Sequence, residues 1–258
     1  MILYDVTGAA ISGLSAYNGK TLSILGDSIS TYAGYIPAGN ANYYTGSNCG
    51  VSSVDDTWWM KIINALGMTL NLNQSWSGSR VTTTNGATSA GCGDRCETLG
   101  TTPDVIIVYM GINDFNNEVA LGTYDGNGTF PTVTTTFREA YAIMLDKIMK
   151  AYPLAEVWCA TLPPCEKNGS TGAPEKNGNG VLLDDFNKAI RNLAQVFGAK
   201  ILDHAQSGLT YENMSTFMGD WASAGTALHP NKYGHSMIAN SDIRQLDASI
   251  TTRYPTTA

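Results

Sequence analysis

One serine lies where a nucleophile could act. The apolar run at 21–25 is typical of a buried strand, and it ends in Gly26-Asp27-Ser28, which places the Ser28 hydroxyl at the strand exit. In open α/β sheets, ligands bind outside the carboxyl ends of the strands, so Ser28 would face a ligand. Such a hydroxyl attacks a carbonyl when a base removes its proton. The alternative role for Ser28 is to cap a following helix.

The base for such a serine must come from three histidines. His229 precedes Pro230 and a predicted helix, so its imidazole would lie on a loop that can reach the crevice. His204 follows a predicted strand and is a second candidate, whereas His235 falls inside the predicted helix as a packing or surface residue. An imidazole can accept the serine proton and deliver it to a leaving alcohol. We therefore predict that His229 is the base.

Four short sequence blocks resemble those of the SGNH, or GDSL-type, esterase and lipase superfamily. The blocks are Gly26-Asp27-Ser28-Ile29-Ser30, Gly78 within 73–79, Gly111-Ile112-Asn113-Asp114 and His229-Pro230-Asn231. They occur in the family's order, whereas a Gly-Asp-Ser string alone is expected by chance in many proteins. The resemblance implies hydrolysis of carboxylic esters through an acyl-enzyme intermediate, with no cofactor and no metal.

The resemblance also implies an oxyanion hole. Its donors would be the backbone N–H groups of Ser28 and Gly78 and the side-chain amide of Asn113. Fixed donors of this kind are worth about 3–4 kcal/mol each. Gly78 could also be a turn glycine, and Asn113 could form an Asx turn that ends a strand; both roles are compatible with function.

The third member of the triad departs from the family pattern. The family has an aspartate three residues before the histidine, but this chain has Thr226 there, which cannot carry the negative charge that stabilises an imidazolium. Two alternatives remain. Asp220 could be the same acid displaced by an insertion, which we favour, or a backbone carbonyl near Thr226 could accept the imidazole N–H.

The elements that would position these residues alternate along the chain. Strands are predicted at 21–25, 69–74, 105–110, 156–161 and 200–203, and helices at 57–66, 134–151, 182–197 and 234–249. This alternation, with apolar strands buried on both faces, favours a three-layer α/β/α sandwich. The family resemblance implies a flavodoxin-like parallel sheet of about five strands, although the sequence alone leaves the strand order open.

We predict a single domain over residues 1–258, with 1–19 as an N-terminal extension. Three polar or Gly-rich segments interrupt the pattern, at 32–56, 82–93 and 163–180. The first and third follow strand ends, so we expect them to border the crevice. The third also has the composition of a flexible, solvated loop.

The composition of the chain limits the classes of partner that it could bind. Charged residues are 14% of the chain and the net charge is −7, which argues against nucleic acid as a partner, because phosphates require clustered Lys and Arg. No apolar run approaches the roughly 20 residues of a membrane span. A surface built from Asn, Thr, Ser and Gly is typical of secreted, cell-surface or periplasmic bacterial proteins, with a cytoplasmic location as the alternative.

Five cysteines leave the redox state open. Two pairs are close enough in sequence to form disulfides in an oxidising compartment, Cys92 with Cys96 and Cys159 with Cys165. Cys49 would then remain a free thiol. A zinc site is disfavoured, because no histidine lies near these pairs.

The sequence says less about the substrate than about the catalytic residues. Aromatic residues concentrate before and around the second block and could stack on sugars or line an acyl pocket: Tyr32, Tyr35, Tyr43, Tyr44, Trp58, Trp59 and Trp76. We expect short acyl groups, such as acetyl on carbohydrate, since no extended apolar lid segment is evident. Arg80 and Arg95 are expected in surface salt bridges. The alternatives are a lipase, thioesterase or acyltransferase using the same site, or a catalytically impaired carbohydrate-binding or surface protein.

Overall fold

The computed structural model describes residues 15–165, 176–221 and 227–247, which contain one five-stranded sheet. Its strands are β1 (Thr21–Gly26), β2 (Thr69–Asn73), β3 (Val105–Tyr109), β4 (Glu156–Ala160) and β5 (Lys200–Leu202). All neighbouring strands are parallel, in the order β2-β1-β3-β4-β5. This is the flavodoxin-like order, so the predicted fold class is confirmed.

Helices cover both faces of the sheet. In the described part of the chain they are α1 (Trp58–Leu66), α2 (Ile112–Asn116), α3 (Phe137–Ala151), α4 (Leu183–Phe197), α5 (Met214–Phe217) and α6 (Lys232–Leu246). From β1 the chain moves to β2 at one edge of the sheet, and from β3 it moves through β4 to β5 at the other edge. Right-handed crossovers therefore place α1 on one face and α3 and α4 on the other. Helix α6 packs on α1 and therefore lies on the same face as α1. With α3 and α4 on the opposite face, the fold has three layers.

The two central strands, β1 and β3, form the middle of the core. Every residue of β3 is buried, as are all residues of β1 after Thr21. Strands covered by helices on both faces require such continuous apolar runs. Their carboxyl ends, where Ser28 and the α2 turn emerge, are therefore held on a rigid base.

Local capping explains where the predicted helix boundaries differ from the observed ones. Helix α6 begins two residues before the predicted start, because the Asn231 side chain accepts hydrogen bonds from the N–H groups of Tyr233 and Gly234. Helix α3 begins at Phe137 and not at 134, since Thr136 is extended. The short helices α2 and α5 have no periodic signal and were not predicted.

Parts of several predictions lie outside the described residues. These are residues 1–14 of the N-terminal extension, 166–175 of the segment 163–180, Thr226, and the predicted end of the last helix at 248–249. Among the helices that are described, none combines the length and the apolar content needed to cross a bilayer.

Candidate active site

Ser28 lies at the end of β1 in a turn that its neighbours shape. Asp27 caps the 3₁₀ turn Ser28–Ser30, and its Oδ1 accepts a hydrogen bond of 3.0 Å from the N–H of Ile29. Ser28 is therefore not the cap, and its hydroxyl is free for another partner. A Cβ on Gly26 would lie 2.6 Å from Ser30 and from Ser75, so only glycine allows β1 to approach the next segment this closely.

A row of hydrogen bonds connects three side chains from distant parts of the sequence. His229 Nε2 lies 2.9 Å from Ser28 Oγ, and His229 Nδ1 lies 2.8 Å from Asp220 Oδ2. With Nδ1 protonated, the imidazole donates to the carboxylate and leaves Nε2 to accept the serine proton. The side chains of His229 and Asp220 are each 12% exposed, so the row is open to a substrate but largely shielded from bulk water.

Of the two alternatives for the acid, the structure places the Asp220 carboxylate at His229. Main-chain hydrogen bonds join the segment that carries Asp220 to the segment that carries His229. The Gly219 N–H donates to the His229 carbonyl at 2.8 Å, and Met218 forms an isolated antiparallel β-bridge with Pro230. Asp220 also accepts bonds of 3.1 Å from the N–H groups of Leu228 and His229. The carboxylate is thus fixed to the loop that carries the imidazole.

The other two histidines lie in the core. His204 is fully buried, with Nε2 2.9 Å from Asp242, and its ring contacts that of Tyr109 edge-on. His235 is also fully buried and accepts a 3.2 Å hydrogen bond from the N–H of Trp58; burial lowers the pKa of His235 to about 3. Neither histidine is hydrogen-bonded to Ser28. His235 is therefore a packing residue.

The two remaining candidates, Asn113 and Gly78, lie in segments that follow β3 and β2, the strands on either side of β1. Asn113 lies in the first turn of α2, directly beyond β3, and one of its amide hydrogens is bonded to the Ser79 carbonyl at 2.9 Å. Its second amide hydrogen remains for another acceptor. Gly78 has a φ of +77°, and a Cβ there would meet no atom within 4 Å. Glycine is therefore needed at 78 for backbone conformation and not for space.

Arg95 is buried and donates hydrogen bonds to both ends of the loop 74–79, which carries Gly78, so the expected surface salt bridge is contradicted. It is only 5% exposed and donates to the carbonyls of Gly26 and Gln74, at 3.3 and 2.6 Å, and to Ser79 Oγ at 3.1 Å. Burial lowers the pKa of Arg95 to about 10 and raises that of Asp27 to about 7. The sequence around Arg95 does not predict this role, because two of its three partners are backbone carbonyls far away in sequence.

Asp114 ties α2 to the loop that follows Gly78. Its carboxylate accepts hydrogen bonds from Val81 N–H at 2.7 Å and from the N–H and hydroxyl of Thr82 at 3.1 and 2.8 Å. Burial raises its pKa to about 6, although these bonds lower it. The last residue of the third sequence block thus connects α2 to the segment that directly follows the second block.

Tyr43 packs directly on the candidate base. Its ring stacks on the His229 imidazole with centroids 3.6 Å apart and planes at 11°. The Tyr43 hydroxyl lies 3.1 Å from Cys49 Sγ, and Tyr44 donates to the Pro230 carbonyl at 2.8 Å. The sequence indicates Tyr43 only as one of several aromatic residues that could bind a ligand, because its contact with His229 joins distant segments.

The remaining aromatic residues divide between core and surface. Trp58, Trp59 and Tyr44 are fully buried, whereas Trp76 is half-buried and Tyr35 is 40% exposed. The five cysteines all lie within the described residues and none is bonded to another, so the structure contains neither of the disulfides considered above. Within the described ranges, no group of three or more His, Cys, Asp or Glu side chains is arranged to hold a metal ion.

The sequence of this chain matches a known family. The model of the GDSL-like lipase/acylhydrolase family matches residues 20–167, which include Ser28, Gly78 and Asn113. Among curated proteins, none matches this chain.

Solved structures extend the similarity over nearly the whole chain. A protein assigned as a GDSL-like lipase from Bacteroides ovatus is 25% identical, with a TM-score of 0.67, over 92% of this chain and 99% of that one. Another from Bacteroides uniformis is 26% identical, with a TM-score of 0.64, over 88% and 95%. An acetyl-xylooligosaccharide esterase from Geobacillus has the same fold at 16% identity, with a TM-score of 0.54, over 89% and 94%.

Proposed function

Because this chain belongs to the GDSL-like lipase/acylhydrolase family, we propose that it is a serine esterase that cleaves carboxylic esters through an acyl-enzyme intermediate. The observation that carries the proposal is the row formed by Asp220, His229 and Ser28, with contacts of 2.8 and 2.9 Å. Nucleophile, base and orienting acid in this relation are the requirement for activating a serine hydroxyl.

In the first half of the reaction, His229 Nε2 takes the proton of Ser28 as Oγ bonds to the ester carbonyl carbon. The carbonyl oxygen becomes negative and is met by the N–H groups of Ser28 and Gly78 and by the amide of Asn113. Asp220 holds the imidazole in the required tautomer and stabilises its charge. When the carbon–oxygen bond to the alcohol breaks, the imidazolium gives its proton to the leaving oxygen.

In the second half, water replaces the alcohol. His229 removes a proton from the water, whose oxygen attacks the acyl carbon, and the same donors receive the charge that returns to the carbonyl oxygen. Breakdown of this intermediate releases the carboxylic acid and returns the proton to Ser28 Oγ. The reaction requires no group beyond the side chains and backbone amides of this chain.

For the substrate, we propose short acyl groups, such as acetyl, on carbohydrate. Support comes from the aromatic and neutral polar residues around the second block, and from the Geobacillus relative, an acetyl-xylooligosaccharide esterase. The alternative of an impaired binding protein was motivated by Thr226, and Asp220 at hydrogen-bonding distance of His229 removes that motive.

The test compares the native protein with Ser28→Ala on p-nitrophenyl acetate, butyrate and octanoate. We expect hydrolysis by the native protein that is fastest on acetate, and at least about a thousandfold loss in the variant. An organophosphonate should label the native protein once, with the mass increase on the peptide containing Ser28. Equal rates for the two proteins would exclude the esterase, and a maximum at octanoate would favour a lipase.

A further inference from the structure

One short segment of the chain contacts each part of the candidate active site. It comprises residues 40–50, which lie between the turn of Ser28 and helix α1, and we call it the bridging segment. The nucleophile, the loop of Gly78 and the pair of Asp220 with His229 come from separate elements. Their spacing therefore depends on the contacts that join these elements to one another.

The bridging segment is hydrogen-bonded to the turn that carries the nucleophile. The Thr31 hydroxyl donates to the Ser28 carbonyl at 2.9 Å, and its oxygen accepts a hydrogen bond of 2.9 Å from the Tyr43 N–H. The Ala33 N–H donates to the Tyr44 carbonyl, also at 2.9 Å. Because Thr31 is fully buried, water does not compete for its two bonds. The main chain at Tyr43 and Tyr44 is thus fixed relative to Ser28.

The bridging segment is also bonded to the loop that carries Gly78. The Ala41 carbonyl accepts a hydrogen bond of 2.8 Å from the N–H of Ser77, the residue directly before Gly78. The Asn40 side-chain amide donates to the Ser75 carbonyl at 3.0 Å. The start of the bridging segment and the loop of Gly78 are therefore held together through two main-chain carbonyls.

Tyr44 connects the bridging segment to the residue that follows the base. Its side chain is fully buried, and its hydroxyl donates to the Pro230 carbonyl at 2.8 Å. Proline has no N–H, so a main-chain hydrogen bond can hold Pro230 only through this carbonyl. The Tyr44 ring also lies edge-on to the His229 ring, with centroids 6.4 Å apart. The backbone from which the imidazole extends is therefore held by one tyrosine hydroxyl.

Cys49 brings the same segment against the acid. A Cβ on Gly219, the residue before Asp220, would lie 2.3 Å from the Cys49 Cβ and 2.5 Å from the Cys49 Cα. Only glycine allows the two backbones to approach this closely. Cys49 Sγ lies 3.1 Å from the hydroxyl of Tyr43, whose ring stacks on His229. The bridging segment thus touches the acid and the base as well as the nucleophile turn.

We propose that the bridging segment sets the distance between Ser28 and His229, and that Tyr44 is the positioning residue through which it holds the base. The inference rests on the proposed esterase activity and adds a residue that belongs neither to the triad nor to the oxyanion hole. The Tyr44 hydroxyl acts through the Pro230 carbonyl and touches no reacting atom. Its contribution is to the geometry of proton transfer, which is sensitive to displacements of about 1 Å.

The kinetic test uses Tyr44→Phe, which removes the hydroxyl and keeps the buried ring. Both halves of the reaction use His229 as the base, so kcat on p-nitrophenyl acetate should fall by about tenfold, with KM within about twofold of native. Urea unfolding of the same variant measures its loss of stability.

Tyr152→Phe is the matched control. The Tyr152 hydroxyl also donates to a backbone carbonyl, that of Glu97, at 2.9 Å. Tyr152 follows the end of α3 shortly before β4 begins, so it lies at the edge of the sheet opposite to Ser28. This variant loses the same kind of hydrogen bond, and its kcat should remain within about twofold of native.

A spectroscopic measurement reports on the imidazole without turnover. In protein with ¹⁵N-labelled histidine, the proton between His229 Nδ1 and Asp220 should resonate far downfield, because a carboxylate accepts it. Tyr44→Phe should weaken or shift this signal. The proton between His204 Nε2 and Asp242 in the core gives the reference signal in the same spectrum and should not change.

The outcomes separate the positioning role from the proposed function. If the native protein hydrolyses esters but Tyr44→Phe keeps the native kcat or the native His229 signal, the positioning role is wrong and the esterase stands. If Tyr44→Phe and Tyr152→Phe slow the reaction equally, the loss reflects stability alone and the role is again wrong. If the native protein hydrolyses no ester, the proposed function fails, and the His229 signal alone decides whether Tyr44 holds the imidazole.

Discussion

At the scale of single residues, the site depends on how the His229 ring is held. Its two nitrogens contact Ser28 and Asp220, and one face lies against Tyr43. Hydrogen bonds at both nitrogens restrict the ring in its plane, while the stack restricts rotation out of the plane. Orientation of this kind is a large part of what an enzyme contributes to a proton transfer.

Replacing Asp220 by Asn tests the acid. The change keeps the shape of the side chain but removes the charge opposite the imidazolium, so kcat should fall by about a thousandfold or more on p-nitrophenyl acetate. Asp55→Asn, an exposed aspartate outside the site, is the matched control and should remain near the native rate. A rate for Asp220→Asn within a few-fold of native would mean that the carboxylate does not take part.

Replacing Tyr43 separates its ring from its hydroxyl. Tyr43→Leu removes the stacked face, which is worth about 0.5–2 kcal/mol against an imidazolium, so kcat should fall by roughly tenfold. Tyr43→Phe keeps the ring and loses only the contact with Cys49, so its kcat should stay close to native. If the Phe and Leu variants were equally slow, the hydroxyl contact would matter and the stack would not.

At the scale of elements, the site exists because the ends of several strands meet. Ser28 emerges from β1, Gly78 follows β2 and Asn113 follows β3, and these three strands are adjacent in the sheet. The loops beyond them are joined by Arg95 and Asp114, which are both buried. The residues that we propose as oxyanion donors are therefore held by hydrogen bonds between elements and not by any single loop.

Arg95→Met tests one of these ties. The variant leaves the Gln74 carbonyl without the Arg95 donor, whereas the Gly26 carbonyl keeps a hydrogen bond of 3.1 Å from the Trp76 N–H. An unsatisfied buried group costs about 1–3 kcal/mol, so we expect urea unfolding to give a loss of that size. Arg80→Met is the control: its guanidinium donates to Thr84 near the surface, so the loss should be below about 1 kcal/mol. Equal losses would mean that the buried carbonyls find other donors.

At the scale of the whole molecule, buried titratable groups oppose one another in their effect on stability. The pKa of Asp27 and Asp114 is raised by burial, so their ionisation destabilises the fold as pH rises through about 4 to 7. The pKa of His235 is lowered by burial to about 3, so the unfolded chain binds a proton below about 6.5 that the folded protein does not. The free energy of unfolding due to His235 is therefore lost as pH falls from 6.5 toward 3.

His235→Gln isolates the histidine contribution. Gln retains an acceptor for the Trp58 N–H but cannot be protonated, so the variant should be less stable than native at pH 7.5 through poorer packing. Below about pH 6.5 the difference should shrink by up to about 1.4 kcal/mol per pH unit, because only the native protein loses stability through this group. The measurement is urea unfolding at several pH values between 4.5 and 7.5. Parallel curves for the two proteins would contradict the assignment.

The sequence determined the fold class and named the residues of the site. Apolar runs alternating with helical periodicity require a parallel sheet covered on both faces, and five strands and four long helices were predicted within a few residues of their observed ends. The place of Ser28 after a strand and of His229 before a helix are local properties that the sequence carries, whereas Gly78 and Asn113 were predicted from the family resemblance of the four blocks. The resemblance to the superfamily, carried by these blocks, is confirmed by the family match.

Only the tertiary structure decided which groups meet. The choice of Asp220 at His229, the burial of Arg95 and the stack of Tyr43 depend on contacts between segments as much as about 190 residues apart, such as that of Tyr43 with His229. The helix starts at Phe137 and Lys232, by contrast, follow from local backbone and cap geometry, which the apolar periodicity does not encode. Local pattern constrains what a segment becomes, but the distance between two side chains is a property of the packed chain.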